Sequence, residues 1–278
     1  MSETALPFRL RVRYAKRGRL IYLGHLEVIH TIERIVRRAG LPYAVTQGFS
    51  PRMKAGFTSA LPVGTGSTCE WYDLFLTDHV DAGEALRRLA AATPADLAPC
   101  EAAYVDARTP ALTAQITRVT YRVALTPLAG LPLDARAVER ALEVIRASGS
   151  ISYLRGRKEK VLDLDRTLAG LSVKGIEDGA VSIELDTRCD NEGALRPEIL
   201  LAALDRALLG GGAGEADGGG AEEGPIVSTG IQDARAFARY DVTRCAQLIA
   251  LDDGSLVDPL GGPWAPWERC RLGAGAAM

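Results

Sequence analysis

The chain has 278 residues, more than the roughly 100–200 of a usual single domain, so its length predicts two domains. Apolar residues make up 47% and charged residues 24%, which is typical of a globular protein and excludes a disordered one. The formal net charge of −2 argues against a protein that coats nucleic acid through its overall charge, and no apolar run approaches the roughly 20 residues that cross a bilayer.

Basic residues are concentrated at the beginning of the chain. Residues 1–60 hold eleven Lys and Arg against three acidic residues, a local charge of +8, so the remaining residues carry −10. Asymmetry of this kind predicts a surface that faces an anion. The alternative is a charge imbalance that serves no partner.

Five cysteines are scattered along the chain without a CxxC or CxxxCxxC motif. An odd and scattered set indicates neither a disulfide framework nor an iron–sulfur site. The first residues also lack the order of a signal peptide, because charges interrupt their apolar stretch. We therefore expect a cytoplasmic protein with reduced cysteines and with no metal or cofactor of its own.

The first predicted strand is Phe8–Tyr14, in which apolar residues alternate with arginines. A period of two residues is typical of a half-buried strand, so Arg9, Arg11 and Arg13 are predicted on an exposed basic face. A basic turn over residues 15–18 follows the strand.

A helix is predicted over residues 25–39. Its apolar residues recur at helical spacing, and Gly40 and Pro42 end it. The predicted elements after it are a second strand at 41–46, a strand-like stretch at 56–61, a clearer strand at 68–76, a helix at 81–92 and a strand at 97–105. Without the strand-like stretch, the order β-α-β-β-α-β matches the ferredoxin-like plan.

The same pattern recurs in the second half. Residues 111–250 allow another βαββαβ unit, although residues 161–176 are ambiguous between helix and strand. The glycine-rich stretch 210–224 is typical of a flexible loop. The predicted class is α+β with two ferredoxin-like units and antiparallel sheets. The predicted domains are residues 1–110, residues 111–250 and an irregular tail, 251–278.

Two histidines lie on the first predicted helix. His25 and His30 are five residues apart, which places them about 140° apart around the axis, so they should not bind one metal ion together. His25 is at the start of the helix, where it is a candidate for a ligand contact or for general acid or base chemistry.

The loop Gly48–Lys54 carries a second set of candidate residues. Phe49 offers a flat aromatic face, Ser50 a hydroxyl, and Arg52 and Lys54 positive charge, a combination that suits base stacking with phosphate contacts. The alternative is a tight turn with Phe49 in the core. Neither HExxH nor GxSxG occurs, and this absence of a self-contained catalytic motif favours a protein that is not itself an enzyme.

The stretch RLIYLGHLEVIHTIERIVRRAGLPYAVTQGFSPRMKAGFTSALPVG, residues 19–64, closely resembles the opening signature of the radical-SAM-linked proteins, a bacterial family of unknown function also described as DUF2344. Members typically have Ser-His-Leu-Asp where this chain has Gly24-His25-Leu26-Glu27, and GFxPxPxxxFxxxLPxG in the loop. Gly24 and Glu27 depart from that pattern. The change at Gly24 removes a hydroxyl that can cap a helix or contact a ligand.

The resemblance implies a partner. Members of the family look like companions of a separate B12-binding radical SAM enzyme, which would carry the iron–sulfur cluster, S-adenosylmethionine and cobalamin. We therefore expect an accessory protein that binds RNA or a phosphorylated substrate through its basic N-terminal unit. Two alternatives stay open: a metal-independent ribonuclease or RNA-modifying enzyme that uses His25, and a purely structural interaction module.

Two groups of residues are predicted to act. The substrate- or RNA-binding candidates are Arg9, Arg11, Arg13, Lys16, Arg17, Arg19, His25, Phe49, Ser50, Arg52 and Lys54. The candidates for docking the partner enzyme lie in a basic turn of the second half and are Arg155, Arg157, Lys158 and Lys160.

Overall fold

A computed structural model describes residues 7–190, 193–210, 224–229 and 234–264. Residues 211–223 of the predicted glycine-rich loop lie outside this part of the chain. So do residues 265–278 of the predicted tail. Two compact units are present: unit 1 is formed by residues 1–117 and 243–278, and unit 2 by residues 118–242. The chain thus returns to unit 1 after residue 242, which the predicted domain boundaries do not anticipate.

The helices and strands are named in chain order. The helices are α1 (His25–Arg38), α2 (Ala82–Ala92), α3 (Leu112–Gln115), α4 (Ala135–Ala147), α5 (Leu164–Thr167) and α6 (Pro197–Gly210), with 3-10 turns at Gly18–Tyr22 and Ala95–Leu97. The strands are β1 (Phe8–Lys16), β2 (Ala55–Phe57), β3 (Gly66–Leu76), β4 (Pro99–Val105), β5 (Arg118–Thr126), β6 (Ser150–Arg155), β7 (Lys158–Asp163), β8 (Leu168–Glu177), β9 (Ala180–Arg188), β10 (Arg239–Ala250) and β11 (Leu256–Val257).

The sheet of unit 1 has β1 between β4 and β3, and both pairings are antiparallel. β2 pairs antiparallel with the second half of β3. The first residues of β3 pair in parallel with Thr243 and Arg244 of β10, and β11 adds to β10. The protein is therefore mixed α/β with mostly antiparallel pairing, which confirms the predicted class at that level.

The helix α1 forms where its apolar spacing predicts it. Val28, Ile32, Ile35 and Val36 lie on one side of α1 and are buried in the same cluster as the inward residues of β1 and β3. Gly40, with φ of +61°, follows the helix in the left-handed conformation that glycine adopts at little cost. This packing fixes α1 against the sheet, with His25 at its first position.

Unit 2 is built around a three-stranded antiparallel sheet in the order β5-β9-β8. Helices α4 and α6 pack against each other. The strand predicted near residue 150 does not join this sheet, because β6 and β7 form a separate hairpin in which Arg155 pairs with Lys158. The ambiguous stretch 161–176 contains the end of β7, the short α5 and most of β8.

Within the described ranges, none of the helices combines the length and the apolar character needed to cross a lipid bilayer.

Candidate functional site

The arginines of β1 do not form the exposed basic face that the sequence predicts. Arg9, Arg11 and Arg13 are each 5% exposed or less. Asp73, on the neighbouring strand β3, binds two of them. Arg11 Nε donates to Asp73 Oδ1 at 2.7 Å, and Arg9 Nη2 donates to Asp73 Oδ2 at 2.6 Å. We call this group the Asp73 cluster.

Two segments of unit 1 contribute carbonyl groups to the same cluster. Arg11 Nη1 donates to the carbonyl of Pro259 at 2.7 Å, and Arg9 Nη2 donates to that of Pro110 at 2.9 Å. Arg13 lies over the ring of Trp71, 5.9 Å from its centroid. The predicted exposure of these three arginines is therefore wrong. An alternating pattern shows that a strand has two faces but not what covers the second one.

Lys16, at the end of β1, faces a different environment. The register of β1 against β3 shifts between Tyr14 and Lys16, as at a β-bulge, a feature that often redirects side chains near functional sites. Lys16 is 2% exposed and lies at a small pocket. The pocket is lined by Tyr14, Lys16, His25, Val28, Leu61 and Glu70, and its empty volume is about 230 Å³, including the solvent at its mouth. We call it the Lys16 pocket.

The carboxylate of Glu70, in the wall of the Lys16 pocket, is held by three side chains. Arg244 Nη1 lies 3.2 Å from both Glu70 oxygens. The hydroxyl of Thr58 donates to Oε2 at 3.1 Å, and Nε2 of Gln247 donates to Oε1 at 3.3 Å. Arg244 thus compensates the charge of Glu70 without Lys16.

Lys16 has no such partner. Among the residues that the structure describes, none gives its ammonium group a hydrogen bond or an ion pair. Burial lowers the pKa of Lys16, and the negative charge of Glu70 offsets part of this effect. A buried amine of this kind is suited to bind an anion or to exchange a proton.

His25 is the first residue of α1 and half-buried at the pocket. Glu27 Oε2 accepts the Gly24 N–H at 2.7 Å and closes the first turn. The His25 ring meets the edge of Phe57, with 6.3 Å between ring centroids. Burial lowers the pKa of His25, which favours the neutral imidazole that can accept a proton. His30, on the same helix, is exposed and does not line the pocket.

The loop Gly48–Lys54 is exposed at its tip. Its two ends are tied together, since the Thr46 N–H donates to the carbonyl of Arg52 at 2.8 Å and the Arg52 N–H to the Thr46 hydroxyl at 3.1 Å. The side chain of Phe49 is fully exposed, so the alternative that places it in the core is wrong. Ser50, Arg52 and Lys54 are exposed as well. We call this segment the Phe49 loop.

The predicted binding residues do not share one surface. None of the Phe49 loop residues lines the Lys16 pocket, and the arginines of the Asp73 cluster do not line it either. Arg19, exposed, and Arg17, half-buried, belong to the turn between β1 and α1, at the pocket end. The structure therefore divides the candidates among the buried Asp73 cluster, the Lys16 pocket with its neighbouring turn, and the Phe49 loop.

The predicted docking residues lie at the end of the β6–β7 hairpin in unit 2. All four are exposed: Arg155, Arg157, Lys158 and Lys160. Gly156, with φ of +64°, allows the tight turn between the strands. Their use in docking stays a prediction.

Sequence reasoning missed Glu70, Tyr14 and Arg244. For Glu70 a signal was present, because it shares the period-2 phase of Tyr72 and of the leucines that follow it, which marks a carboxylate on a buried face. Arg244 has no comparable signal. Nowhere in the described ranges do three or more His, Cys, Asp or Glu side chains come together to hold a metal ion.

Residues 9–197 match the family described as "Uncharacterized protein conserved in bacteria (DUF2344)". Since this covers well over half of the 278 residues, the chain belongs to that family. No curated protein matches the chain significantly.

The solved structures similar to this chain are distant. One is the crystal structure of a Cbf5-Nop10-Gar1 complex (TM-score 0.42, 12% identity, 86% of this chain and 48% of that chain). Another is an H/ACA RNP bound to a substrate RNA containing 2'-deoxyuridine (TM-score 0.40, 10% identity, 86% and 47%). A third is an unknown protein from Galdieria sulphuraria (TM-score 0.22, 10% identity, 73% and 91%). The chain spans about half the length of the first two.

Proposed function

We propose that this protein is an accessory subunit that binds RNA or a phosphorylated substrate and works with a separate B12-binding radical SAM enzyme. The observation that carries the binding part is the Phe49 loop, which presents an uncovered aromatic ring beside Arg52 and Lys54. An uncovered ring next to positive charges is accessible to a planar partner that also carries negative charge. A nucleotide is such a partner, since stacking on an aromatic ring contributes about 1–3 kcal/mol per base.

The cations around the loop favour a nucleic acid over an apolar partner. Arg34 and Arg38 are exposed in the last turns of α1, the helix that precedes the loop in the chain. Lys54 Nζ is held 4.7 Å from the centroid of the Phe75 ring, which keeps the ammonium at the base of the loop. The loop thus combines stacking with phosphate-binding charge.

Charge reversal in the loop tests the RNA part. We expect Arg52→Glu with Lys54→Glu to weaken binding of a single-stranded RNA at least tenfold, and to reduce the dependence of log affinity on log salt by roughly one to one and a half, because two phosphate contacts are lost. Fluorescence anisotropy at several salt concentrations measures both quantities. Arg136→Glu with Arg140→Glu, on the exposed face of α4, makes the same charge change elsewhere and should leave both unchanged.

Removal of the ring tests the stacking part. We expect Phe49→Ala to weaken RNA binding about 5- to 100-fold without altering the salt dependence, because stacking carries no ionic component. Unchanged affinity in both loop variants would contradict RNA binding by this loop.

The partner enzyme is the part that rests on the family resemblance. It would carry the iron–sulfur cluster, S-adenosylmethionine and cobalamin. The exposed hairpin end, with four basic residues against Glu159, supplies a surface for docking. A tagged chain purified from its own cells should recover a radical SAM enzyme, and reversal of the charges of Arg155, Arg157, Lys158 and Lys160 should prevent this. Recovery of other proteins, or of none, would count against the partnership.

A second candidate function is a metal-independent ribonuclease or RNA-modifying enzyme. The observation that favours it is the position of His25 at a pocket that also contains Lys16, Tyr14 and Glu70. Turnover of total RNA that is lost in His25→Ala and kept in His30→Ala would establish it. The third alternative is a structural module. In that case the tagged chain should co-purify with a protein partner whether or not RNA is present.

We also propose that unit 1 is a ferredoxin-like unit to which β10 and β11 have been added. The strand order β4-β1-β3-β2, with α1 and α2 in the two connections, supports this. A second ferredoxin-like unit in the other half stays part of the proposal, although the separate β6–β7 hairpin makes it less regular.

A further inference from the structure

The side chain of Lys16 is buried at the Lys16 pocket, and none of the described residues gives its ammonium group a hydrogen bond or an ion pair. Glu70 is the carboxylate in the pocket wall, and Arg244, Thr58 and Gln247 already occupy that carboxylate. Tyr14 is neutral at physiological pH, because burial raises the pKa of its hydroxyl. Placing an ammonium group in such a site is unfavourable unless an anion enters.

The remaining charged groups near the pocket do not supply that anion. Glu27 raises the pKa of Lys16 only as the least of the influences on it, and its exposed carboxylate is bonded to the Gly24 N–H at 2.7 Å. His25 contributes either a neutral or a positive group. The first turn of α1, which lines the pocket through His25 and Val28, adds the positive end of the helix dipole.

We propose that the Lys16 pocket binds the phosphate group of the ligand, with the Lys16 ammonium as its principal contact and His25 at the mouth. The inference rests on the proposed function, in that the phosphate belongs to the ligand bound by unit 1. A phosphate suits this site because lysine binds it as a point charge, whereas a carboxylate is more often met by the planar fork of an arginine.

The size of the pocket limits how much of the ligand enters. The roughly 230 Å³ of empty space includes open solvent at the mouth, and the enclosed part has room for about one water-sized group. The phosphate therefore meets Lys16 at the mouth with one oxygen reaching inward, and the rest of the ligand stays outside. Exposed apolar side chains occur within three residues of the pocket residues in the chain, namely Tyr22, Leu26 and Val63.

A titration with inorganic phosphate tests the pocket directly. We expect the full chain to bind phosphate in isothermal calorimetry, Lys16→Met to bind it at least tenfold more weakly, and Lys174→Met to bind it as the natural chain does. Lys174 is an exposed lysine of unit 2 and undergoes the same chemical change. Failure of the natural chain to bind phosphate, or equal binding by Lys16→Met, would overturn the inference.

A measurement on the unaltered chain keeps the test decisive if Lys16→Met does not fold. Phosphate should shift the backbone amide NMR signals of His25 and Leu26 in the first turn of α1 and of Leu61, and leave those of the Phe49 loop in place. Shifts confined to the loop, or to unit 2, would reject the pocket as the phosphate site.

Two RNA oligonucleotides of one sequence, with a 5′-phosphate or a 5′-hydroxyl, identify the source of the phosphate. If the phosphate is the end of an RNA, the natural chain should bind the 5′-phosphorylated oligonucleotide about fivefold or more tighter than the 5′-hydroxyl one. Lys16→Met should bind the two equally. Equal binding of the two RNAs, with Lys16-dependent binding of inorganic phosphate and of a nucleoside monophosphate, assigns the pocket to a small phosphorylated molecule.

The same experiments separate this inference from the proposed function. RNA binding that depends on Arg52 and Lys54, without any phosphate binding at Lys16, leaves the function standing and removes the inference. Phosphate binding at Lys16 without any RNA binding removes RNA as the proposed ligand and keeps the pocket as a phosphate site.

Discussion

The Asp73 cluster and the Lys16 pocket both bury cations of the same strand, but only one of them satisfies those cations. In the Asp73 cluster, Arg9 and Arg11 share a carboxylate and use further donors on backbone carbonyls. Lys16, a few residues along β1, is equally buried and has no hydrogen-bond partner within the described residues. We infer from this difference that the arginines stabilise the fold, whereas Lys16 is available to bind a ligand.

Physical chemistry explains why the two regions should respond differently to substitution. Removing one partner of a buried ion pair leaves the other charge uncompensated, which is strongly unfavourable. Removing a buried charge that has no partner takes away an unfavourable element instead. Proteins tolerate such elements at functional sites at the expense of stability.

The largest effect is expected from Asp73→Asn. It leaves the guanidinium groups of Arg9 and Arg11 buried without a counter-charge, so unit 1 should lose about 3–5 kcal/mol of its free energy of unfolding. Urea unfolding followed by tryptophan fluorescence reports this unit, since Trp71 is buried in β3 and the sequence of unit 2 contains no tryptophan. A loss below about 1 kcal/mol would mean that the cluster is not structural.

The opposite sign is expected for Lys16→Met without ligand. The thioether keeps most of the apolar stem and removes the buried charge, so the free energy of unfolding should rise by about 0.5–2 kcal/mol in the same urea experiment. Saturating phosphate should then stabilise the natural chain and not the variant, because binding to the folded state raises stability. A marked loss of stability in Lys16→Met would place Lys16 with the structural cations.

A smaller effect is expected in the titration of His25. Burial lowers the pKa of its imidazole, Glu70 raises it, and Arg244 and Lys16 lower it. Lys16→Met should therefore raise the pKa of His25, and Glu70→Gln should lower it further, as measured by NMR of the ring protons. Because this pKa is lower in the folded than in the unfolded chain, the contribution of neutral His25 to stability is lost as the pH falls below the unfolded value. Equal pKa values in all three proteins would mean that His25 does not share the pocket electrostatics.

The smallest effect is expected for Arg87→Gln, which removes an exposed ion pair. Arg87 Nη2 and Glu84 Oε2 are 2.6 Å apart on α2, as close as Arg9 and Asp73. Since solvent screens this pair, its loss should cost less than about 1 kcal/mol in urea unfolding. A cost comparable to that of Asp73→Asn would mean that burial is not what distinguishes the Asp73 cluster.

Two elements of unit 1, β1 and α1, were predictable because their apolar periods are local, whereas the strand predicted at 41–46 is wrong, since only isolated bridges occur there. The alternation in Phe8–Tyr14 predicts β1, and the helical spacing from Val28 to Val36 predicts α1. The burial of Arg11 was not predictable, because Pro259 reaches it from a segment 248 residues further along the chain. In unit 2, the turn at Gly156 decides that β6 pairs with β7, and the basic sequence alone does not show that this hairpin stands apart from the sheet.

Two residues of the Lys16 pocket were predictable from the sequence. His25 and Lys16 were identified as candidates, and the structure brings them to one pocket. The bulge that turns Lys16 toward His25 depends on the pairing of β1 with β3, which no local pattern specifies. The Phe49 loop was predicted as an exposed aromatic loop because Gly48 and Pro51 mark a turn, and the exposed ring confirms its accessibility.

The return of the chain to unit 1 has a consequence for the newly made protein. Arg244 follows Glu70 by 174 residues, and the whole of unit 2 is translated between them. While the ribosome is still extending the chain, the Glu70 carboxylate has no Arg244 guanidinium to pair with. The first 117 residues also lack β10, the strand that pairs with the start of β3. The residues that line the Lys16 pocket are made early, but the charge of Glu70 is compensated by Arg244 only near the end of synthesis, so a prematurely terminated chain would leave that carboxylate without its guanidinium.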